Sequence, residues 1–457
     1  MKTKLTIACL LCIIAWATGC SKYLDKKSSN SLVVPTSISD LQGLLDDAFV
    51  MNQQRTPSIG EASADDYFVL ESNFDTRPQN DQHVYTWDMP YPSYNYSNDW
   101  ATNYLPVYNS NYCLDMISKV APDAGEGSAW NNVKGSALFY RAYYFTQLVW
   151  VYGKAYDATS SEKDPGIVLR LTSDFNIPSV RASVKDSYDR IIDDAKESIS
   201  YLPALPAHPF RPSKTAAYGL LARVFLSMRQ YDSAFLYANL FLQNDAQLMD
   251  YNGDNDIIGN INGTSSPFRQ FNKETVFYTE IAYTTGIVNP TFAKIDTFLY
   301  SQYEGNDIRK SAFFTPNNGY NKFKGNYTKS NLLFTGIATD EVYLIRAECY
   351  AREGETASAM NDLNVLLSKR YDDTFIPLAA SDASDALNKI LLERRKELLM
   401  RGLRFIDIKR LNKEGVDIIP KRIIHGQTYT IEPNDNRYAI PIPTDIINQT
   451  GMPQNAY

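Results

Sequence analysis

At 457 residues and 51.7 kDa the chain is well beyond a minimal domain, so a large core or two packed lobes are expected. Its 44% hydrophobic and 21% charged residues, with 22 Gly and 22 Pro, exclude disordered, collagen-like and low-complexity chains. A formal charge of -7 excludes nucleic acid as the main partner, because phosphate backbones are held by clustered Lys and Arg, and no such cluster occurs. The anomaly is aromatic: 32 Tyr against 21 Phe and 5 Trp, a bias toward rings with a polar handle that suit half-wet surfaces.

In chain order, Lys2 and Lys4 form a basic start, and Leu5 to Trp16 is apolar or small apart from Thr6. The run is shorter than the ~20 residues needed to span a bilayer, and its flanks are those of a secretory signal. Ala17-Thr18-Gly19 then leads into Cys20, an ending that resembles a bacterial lipobox, in which the thiol is diacylated and becomes the new N-terminus. Residues 1–19 are read as a lipoprotein signal peptide and the polar stretch 20–35 as a lipidated tether, so the membrane is engaged through the anchor only. Cys9 and Cys12 leave with the signal. Cys113 and Cys349 remain, inside helical patterns, and read as small buried hydrophobes and not as a disulfide framework.

The folded part, 36–457, opens on a capping sequence before Leu41, Leu44, Leu45, Ala48 and Phe49, apolar at helical spacing. Nine Tyr or Trp follow between Tyr85 and Tyr112. The last four, Trp100, Tyr104, Tyr108 and Tyr112, recur every four residues and predict a core stripe on a helix that contains Pro106. The first five, Tyr85, Trp87, Tyr91, Tyr94 and Tyr96, sit around Pro90 and Pro92 in a stretch that cannot be a regular helix. Helices are predicted over 130–152 and 183–202, and helical pairs over 214–245 and 340–370.

The two pairs are internally related. Tyr218, Leu220, Ala222, Phe225, Ser233 and Ala234 match Tyr343, Ile345, Ala347, Tyr350, Ser358 and Ala359 at one constant offset of 125. Small residues at the close contacts of two helices are what a tetratricopeptide hairpin requires. The fold class expected is therefore mainly α, with tetratricopeptide-like hairpins as scaffold and few short strands such as Thr275 to Ile281. Between the pairs, about 246–339 is a Gly-, Asn- and Tyr-rich insert expected to form an irregular side.

Two charged stretches need a reading. Asp250, Asn252, Asp254 and Asp256 alternate as in a calcium loop, but an EF-hand wants Gly at the sixth position and Glu at the twelfth, and here stand Asn255 and Ile261, so no metal is assigned. From Glu393 to Arg410 runs a dense charged block. Glu393 and Glu397 lie one turn apart with Arg394 and Lys396 beside them, which predicts self-pairing along a solvated or ion-paired face while Leu391, Leu392, Leu398, Leu399, Leu403 and Ile406 bury the other side. Catalytic motifs are missing: His83, His208 and His425 are scattered, and no zinc, nucleophile-elbow or nucleotide-binding pattern occurs.

The order of features, GEASADDYF, KGSALFYRAYYFTQLVWVYG, RPSKTAAYGLLARVFLSMRQYDSAFLYA, DEVYLIRAECYAREG, ERRKELLMRGLRFIDIKRL and the closing YAIPIPTDIINQTGMPQNAY, resembles the SusD/RagB family of outer-membrane nutrient-binding lipoproteins end to end. The resemblance implies no catalytic role and no cofactor. It implies capture of oligosaccharides, or in some members peptides, and delivery to a TonB-dependent, SusC-like barrel from the outer membrane, facing the cell exterior. A lipid-anchored tetratricopeptide scaffold and a surface glycosidase are the alternative readings. Flat rings on a proline-stiffened loop can stack on sugars while polar neighbours bond the hydroxyls. The ligand is accordingly placed on Trp87, Tyr91, Tyr94 and Tyr96, with Asn95, Arg77 and Asp66 as polar partners, and secondarily on Tyr283 and Tyr303. If Cys20 carries the anchor, Cys20→Ser should move the protein from the membrane fraction to the soluble one, measured by fractionation and blotting; a variant that still sediments with membranes would refute it.

Overall fold

The computed structural model describes residue 35, residues 37–88 and residues 98–457. Cys20, the tether up to residue 34, and Tyr91, Tyr94, Asn95 and Tyr96 lie outside the described residues.

Helix α1 (Ile38–Leu45) begins at a reciprocal cap: Ser37 Oγ accepts from the Asp40 amide at 3.1 Å while the Ser37 amide donates to Asp40 Oδ2 at 3.2 Å. α2 (Gln79–Thr86) ends at Trp87, which takes the left-handed conformation at φ 52°. α3 (Asp99–Ile117) starts where the Asn98 side chain accepts from the Ala101 amide, and accommodates Pro106 internally. α4 (Gly127–Tyr152) is buried on every side without a break from Gly135 to Tyr152, and so forms the axis of the core. Serine caps open α5 (Val184–Ile199) and α6 (Lys214–Ser227). α7 (Tyr231–Asn244), α8 (Thr339–Arg352), α9 (Thr356–Leu367), α10 (Ala383–Glu397), α11 (Arg404–Asn412) and α12 (Thr444–Thr450) complete the longer helices.

From α3 to α9 each of these helices packs on the next, as in stacked helical hairpins. The repeat read from sequence is present to the residue: α6 begins and ends 125 positions before α8, and α7 begins 125 before α9. Ala222, Ala234, Ala347 and Ala359 are fully buried where the paired helices meet. At Gly219 the approach is closest, since a Cβ there would stand 2.5 Å from Ile337 and 3.2 Å from Phe241.

Among the described residues the strands form five two-stranded ladders. β1 (Tyr67–Val69) pairs with β5 (Ala293–Ile295), β2 (Pro165–Val168) with β3 (Arg181–Ser183), and β4 (Thr275–Phe277) with β8 (Ile337–Ala338). β6 (Phe314–Asn317) and β7 (Tyr320–Phe323) make a hairpin, as do β9 (Lys421–Ile424) and β10 (Gln427–Thr430). The ladder of β1 with β5 and the isolated bridges Thr56 to Ile281 and Asp307 to Tyr371 stitch 246–339 to the rest, and Phe268, Phe277, Tyr278, Phe313 and Phe334 sit in the common core. The stretch is irregular as expected, but it is woven into the core and is not a peripheral insert. Cys113 and Cys349 are buried and unpaired, and burial pushes the Cys113 thiol up to about 12. No helix among the described residues is long and apolar enough to cross a membrane.

The charged block departs from its expected placement. In α10 the charged residues Glu393, Arg394, Lys396 and Glu397 are the buried ones, while Leu392 is exposed. The reason is tertiary: Arg309 and Arg370, both fully buried, arrive from segments far away in sequence and neutralise the acids. The repeat register is testable through packing. Ala222→Leu should overpack the α6–α7 contact and cost ~1 to 3 kcal/mol in urea denaturation; a variant as stable as wild type would show that Ala222 is not a close contact.

Candidate binding site

The structure separates the residues predicted to bind ligand. Trp87 is 1% exposed: its indole nitrogen donates to the Ser63 carbonyl at 3.1 Å, and its ring, with those of Tyr67 and Tyr85, surrounds the Arg422 guanidinium at 4.5 to 5.1 Å. This cage corrects the expectation of an offered ring, because Trp87 already stacks on an internal cation brought by β9. Asp66 is likewise buried, accepting from Arg395 Nε at 2.7 Å, and Tyr303 is buried with its hydroxyl donating to the Lys396 carbonyl at 2.8 Å. Neither is available to a ligand. Arg77 is half-buried and lies over Phe292 at 3.6 Å. Tyr283 is partly exposed, its hydroxyl 3.4 Å from the Asn331 carbonyl. Asp250, Asp254 and Asp256 pair with Lys369, Lys273 and Arg269 at 2.9, 2.5 and 2.9 Å, so each acid of the calcium-like run faces its own cation.

A groove of about 560 Å³ lies elsewhere, walled by α3, the 169–180 loop and α12. Its aromatic side is the stripe expected in the core. Steps of four residues advance about 40° beyond a full turn of an α-helix, so the stripe spirals outward. Trp100 is 5% exposed and packs between Tyr104 and Tyr152, both at 5.0 Å; Tyr108, two steps on, is 44% exposed and its hydroxyl has no hydrogen-bond partner among the described residues. Tyr104 is fixed between these, its hydroxyl accepting from the Val168 amide at 3.0 Å and donating to the Val168 carbonyl at 2.7 Å.

The opposite wall is a loop without regular structure, yet it is tightly held. Asn111 donates to the Arg170 carbonyl at 2.7 Å, and Asp115 accepts from the Ser173 amide and hydroxyl at 2.8 and 2.7 Å. Arg170 itself donates to the Ile177 carbonyl and Ser179 hydroxyl, both at 2.5 Å, and Asp174 accepts from the Asn176 amide at 2.9 Å. These bonds leave Phe175 79% exposed across from Tyr108 and α12, with Asn176 and Gln449 exposed beside it. Two apolar faces and several amides thus share one rigid cleft. The spacing of Asn111 and Asp115, one turn apart on the helix that carries the rings, is the signal that could have revealed it.

Two family models match the chain, one described as starch-binding and associating with the outer membrane over residues 22–226, the other as the SusD family over 231–457. The chain belongs to the SusD/RagB family. Among solved structures, a SusD superfamily protein of Bacteroides thetaiotaomicron superposes with a TM-score of 0.74 at 20% identity, covering 92% of this chain and 100% of its own. A putative sugar binding protein of Bacteroides vulgatus gives 0.73 at 20% identity, with 92% and 98% covered. A laminarin binding SusD-like protein gives 0.62 at 17%, with 91% and 97% covered. No curated protein matches. At these identities the likeness establishes the shared SusD fold.

In this SusD-family chain the GEASADDYF run is structural. Asp65 accepts from Arg404 at 2.6 and 2.9 Å; burial opposes its charge, but Arg404 and Arg395 hold it well below the usual carboxylate range. Glu61 forms no salt bridge among the described residues, and Arg404 nearby only partly offsets its burial. Its Oε2 accepts from the Gly402 amide at 2.9 Å, its Oε1 has no partner, and burial, helped by Asp66, pushes it up from 4.5 to about 8. The folded state therefore keeps a proton that the unfolded chain releases, and stability falls as pH rises between those two values. Glu61→Gln should remove that loss: urea denaturation across this window should show the wild type weakening relative to the variant, and parallel profiles would refute the assignment.

Proposed function

We propose that this protein is a cell-surface lipoprotein that captures oligosaccharides in the groove between α3, the 169–180 loop and α12, and passes them to a TonB-dependent outer-membrane barrel. The single observation that carries the reading is the pairing of two exposed rings, Tyr108 and Phe175, with the exposed amide side chains of Asn176 and Gln449 in a groove whose loop is pinned at both ends. A pyranose presents just such a mixed surface, apolar on its C–H face and hydroxylated at its rim. Because Asn111, Asp115 and Arg170 already fix the loop, little conformational entropy is lost when a ligand enters. The starch-binding description of the matching family and the laminarin and sugar binding of two structural neighbours support a glycan as the ligand class.

Anchoring through Cys20 and hand-over to a SusC-like barrel follow the family pattern. The first described residue, Pro35, has its carbonyl 3.3 Å from the Tyr112 hydroxyl on α3, the helix that also forms the groove. Tyr91, Tyr94, Asn95 and Tyr96 precede that helix in sequence and remain proposed ligand residues. Only binding is proposed; the groove's Asp174 caps its own turn. Calorimetry with a panel of oligosaccharides and peptides tests the reading. Tyr108→Ala and Phe175→Ala should each lower affinity for the binding oligosaccharide by more than ~1 kcal/mol while leaving the fold intact. Unchanged affinity in both, with loss in a Tyr91, Tyr94 and Tyr96 triple alanine variant, would move the site off the groove; binding of peptides alone would replace the ligand class.

A further inference from the structure

A second, smaller hollow of about 30 Å³ opens where α11 meets the C-terminal end of α4 and the turn at 434–438. That space exceeds the ~10 to 15 Å³ one water needs. Its lining is dominated by cations: Lys154, Lys409 and Lys413, with Asn434, Asp435 and Tyr438.

Lys409 is the unusual member. It is 2% exposed, and its ammonium donates to the Trp150 and Gly153 carbonyls, both at 2.7 Å. Those carbonyls end α4 and supply partial negative charge. They occupy two of three N–H donors and leave the formal charge without a carboxylate. Burial accordingly holds Lys409 down to about 7. Tyr438 is 4% exposed, and its hydroxyl has no hydrogen-bond partner among the described residues.

The surrounding charges do not cancel. Lys413 faces Asp157 at 3.3 Å, Lys154 faces Asp164 at 3.7 Å, and Asp435, the one carboxylate lining the hollow, is held by Arg437 at 2.7 and 3.0 Å. Each acid is matched to its own cation, and Lys409, held by two carbonyls and lying 5.3 Å from the Phe405 ring, is the lining cation without a carboxylate. A buried ammonium without a carboxylate and a buried hydroxyl without a partner among the described residues, on two side chains that line one hollow, are both costly unless something polar enters.

We propose that this hollow is a small-anion site, in which chloride or a carboxylate head group accepts hydrogen bonds from the Lys409 ammonium and the Tyr438 hydroxyl. The carboxylate has two possible sources, a free small acid or the acid group of a uronic sugar, and the chemistry at the donors is the same for both. This site is separate from the aromatic groove and does not depend on what the groove binds.

Crystals of the intact chain soaked in sodium bromide test the proposal directly, since bromide scatters anomalously and stands in for chloride. An anomalous peak within hydrogen-bond distance of Lys409 Nζ is expected. In solution, replacing a bulky sulfonate by bromide, chloride or formate at constant ionic strength should raise the melting temperature with saturation. Tyr438→Phe keeps the ring against Phe405 and removes one donor, so it should weaken the anion roughly tenfold, the loss of one charge-assisted hydrogen bond. Lys409→Met should abolish the effect, but it also strips two carbonyls of their donor, so Tyr438→Phe is the deciding variant. Displacement of bromide by galacturonate would identify a sugar acid as the source, and displacement by formate alone a free anion. No peak in this hollow, or anion stabilisation equal in wild type and Tyr438→Phe, would overturn the assignment and leave water as the occupant.

Discussion

One carboxylate, Glu397, organises the interior. It is 2% exposed, and its two oxygens accept from different arginines, Oε1 from Arg370 Nε at 2.7 Å and Oε2 from Arg309 Nη1 at 3.0 Å. Arg370 continues to Glu274 at 2.8 and 3.0 Å and to the Met249 carbonyl, and Tyr327 extends the chain from Glu274 to Asp340, which receives Arg401 at 3.0 Å. Arg309 also binds Asp307 and Glu393 at 2.8 and 2.6 Å. The network thus joins α8 and α10 to five points of the irregular segments, where helix packing by itself could not set the geometry. A second cluster, Arg410 with Glu348 and Asp407, and Arg394 with Asp407, does the same between α8, α10 and α11.

Buried ion pairs of this kind add little net stability, because desolvation offsets most of the attraction. Removing one partner is another matter, at ~3 to 5 kcal/mol for the charge left bare. What the network enforces is registration: a misplaced loop leaves an arginine or glutamate alone in an apolar interior. An extended chain with few regular strands can therefore hold a defined path across 246–339. The helical hairpins give the molecule a rigid side, and the ion network lets the opposite side be irregular without being loose.

The same division shapes the groove. α3 is held by the helical stack, and its rings turn from core to surface at the natural rate of the helix. The facing loop is held by polar bonds from that helix, through Asn111 and Asp115. Arg141 connects the two systems, since it donates to Asn111 Oδ1 at 3.0 Å and to both oxygens of Asp194 on α5 at 2.7 and 2.8 Å. A binding loop in this position is preorganised by the scaffold behind it.

Local pattern was enough for the helices, their caps, the repeat at offset 125, the buried free cysteines and the family, because each of these depends on residues within a turn or two, or on a register that does not need a partner. It singled out the aromatic stretch 85–112, part of which lines the proposed groove. It could not say which rings face water. Trp87 was expected to be offered and is caged by Arg422, more than three hundred residues away; Tyr108 was expected in the core and is 44% exposed among the described residues, facing the groove. The charged face of α10 was read as solvated or ion-paired along its own helix; it is ion-paired, but in the interior and with distant partners, since Arg309 and Arg370 leave no trace in the sequence around Glu397. Burial of a polar or aromatic side chain is decided by what arrives from elsewhere in the chain. Only the tertiary structure contains that information.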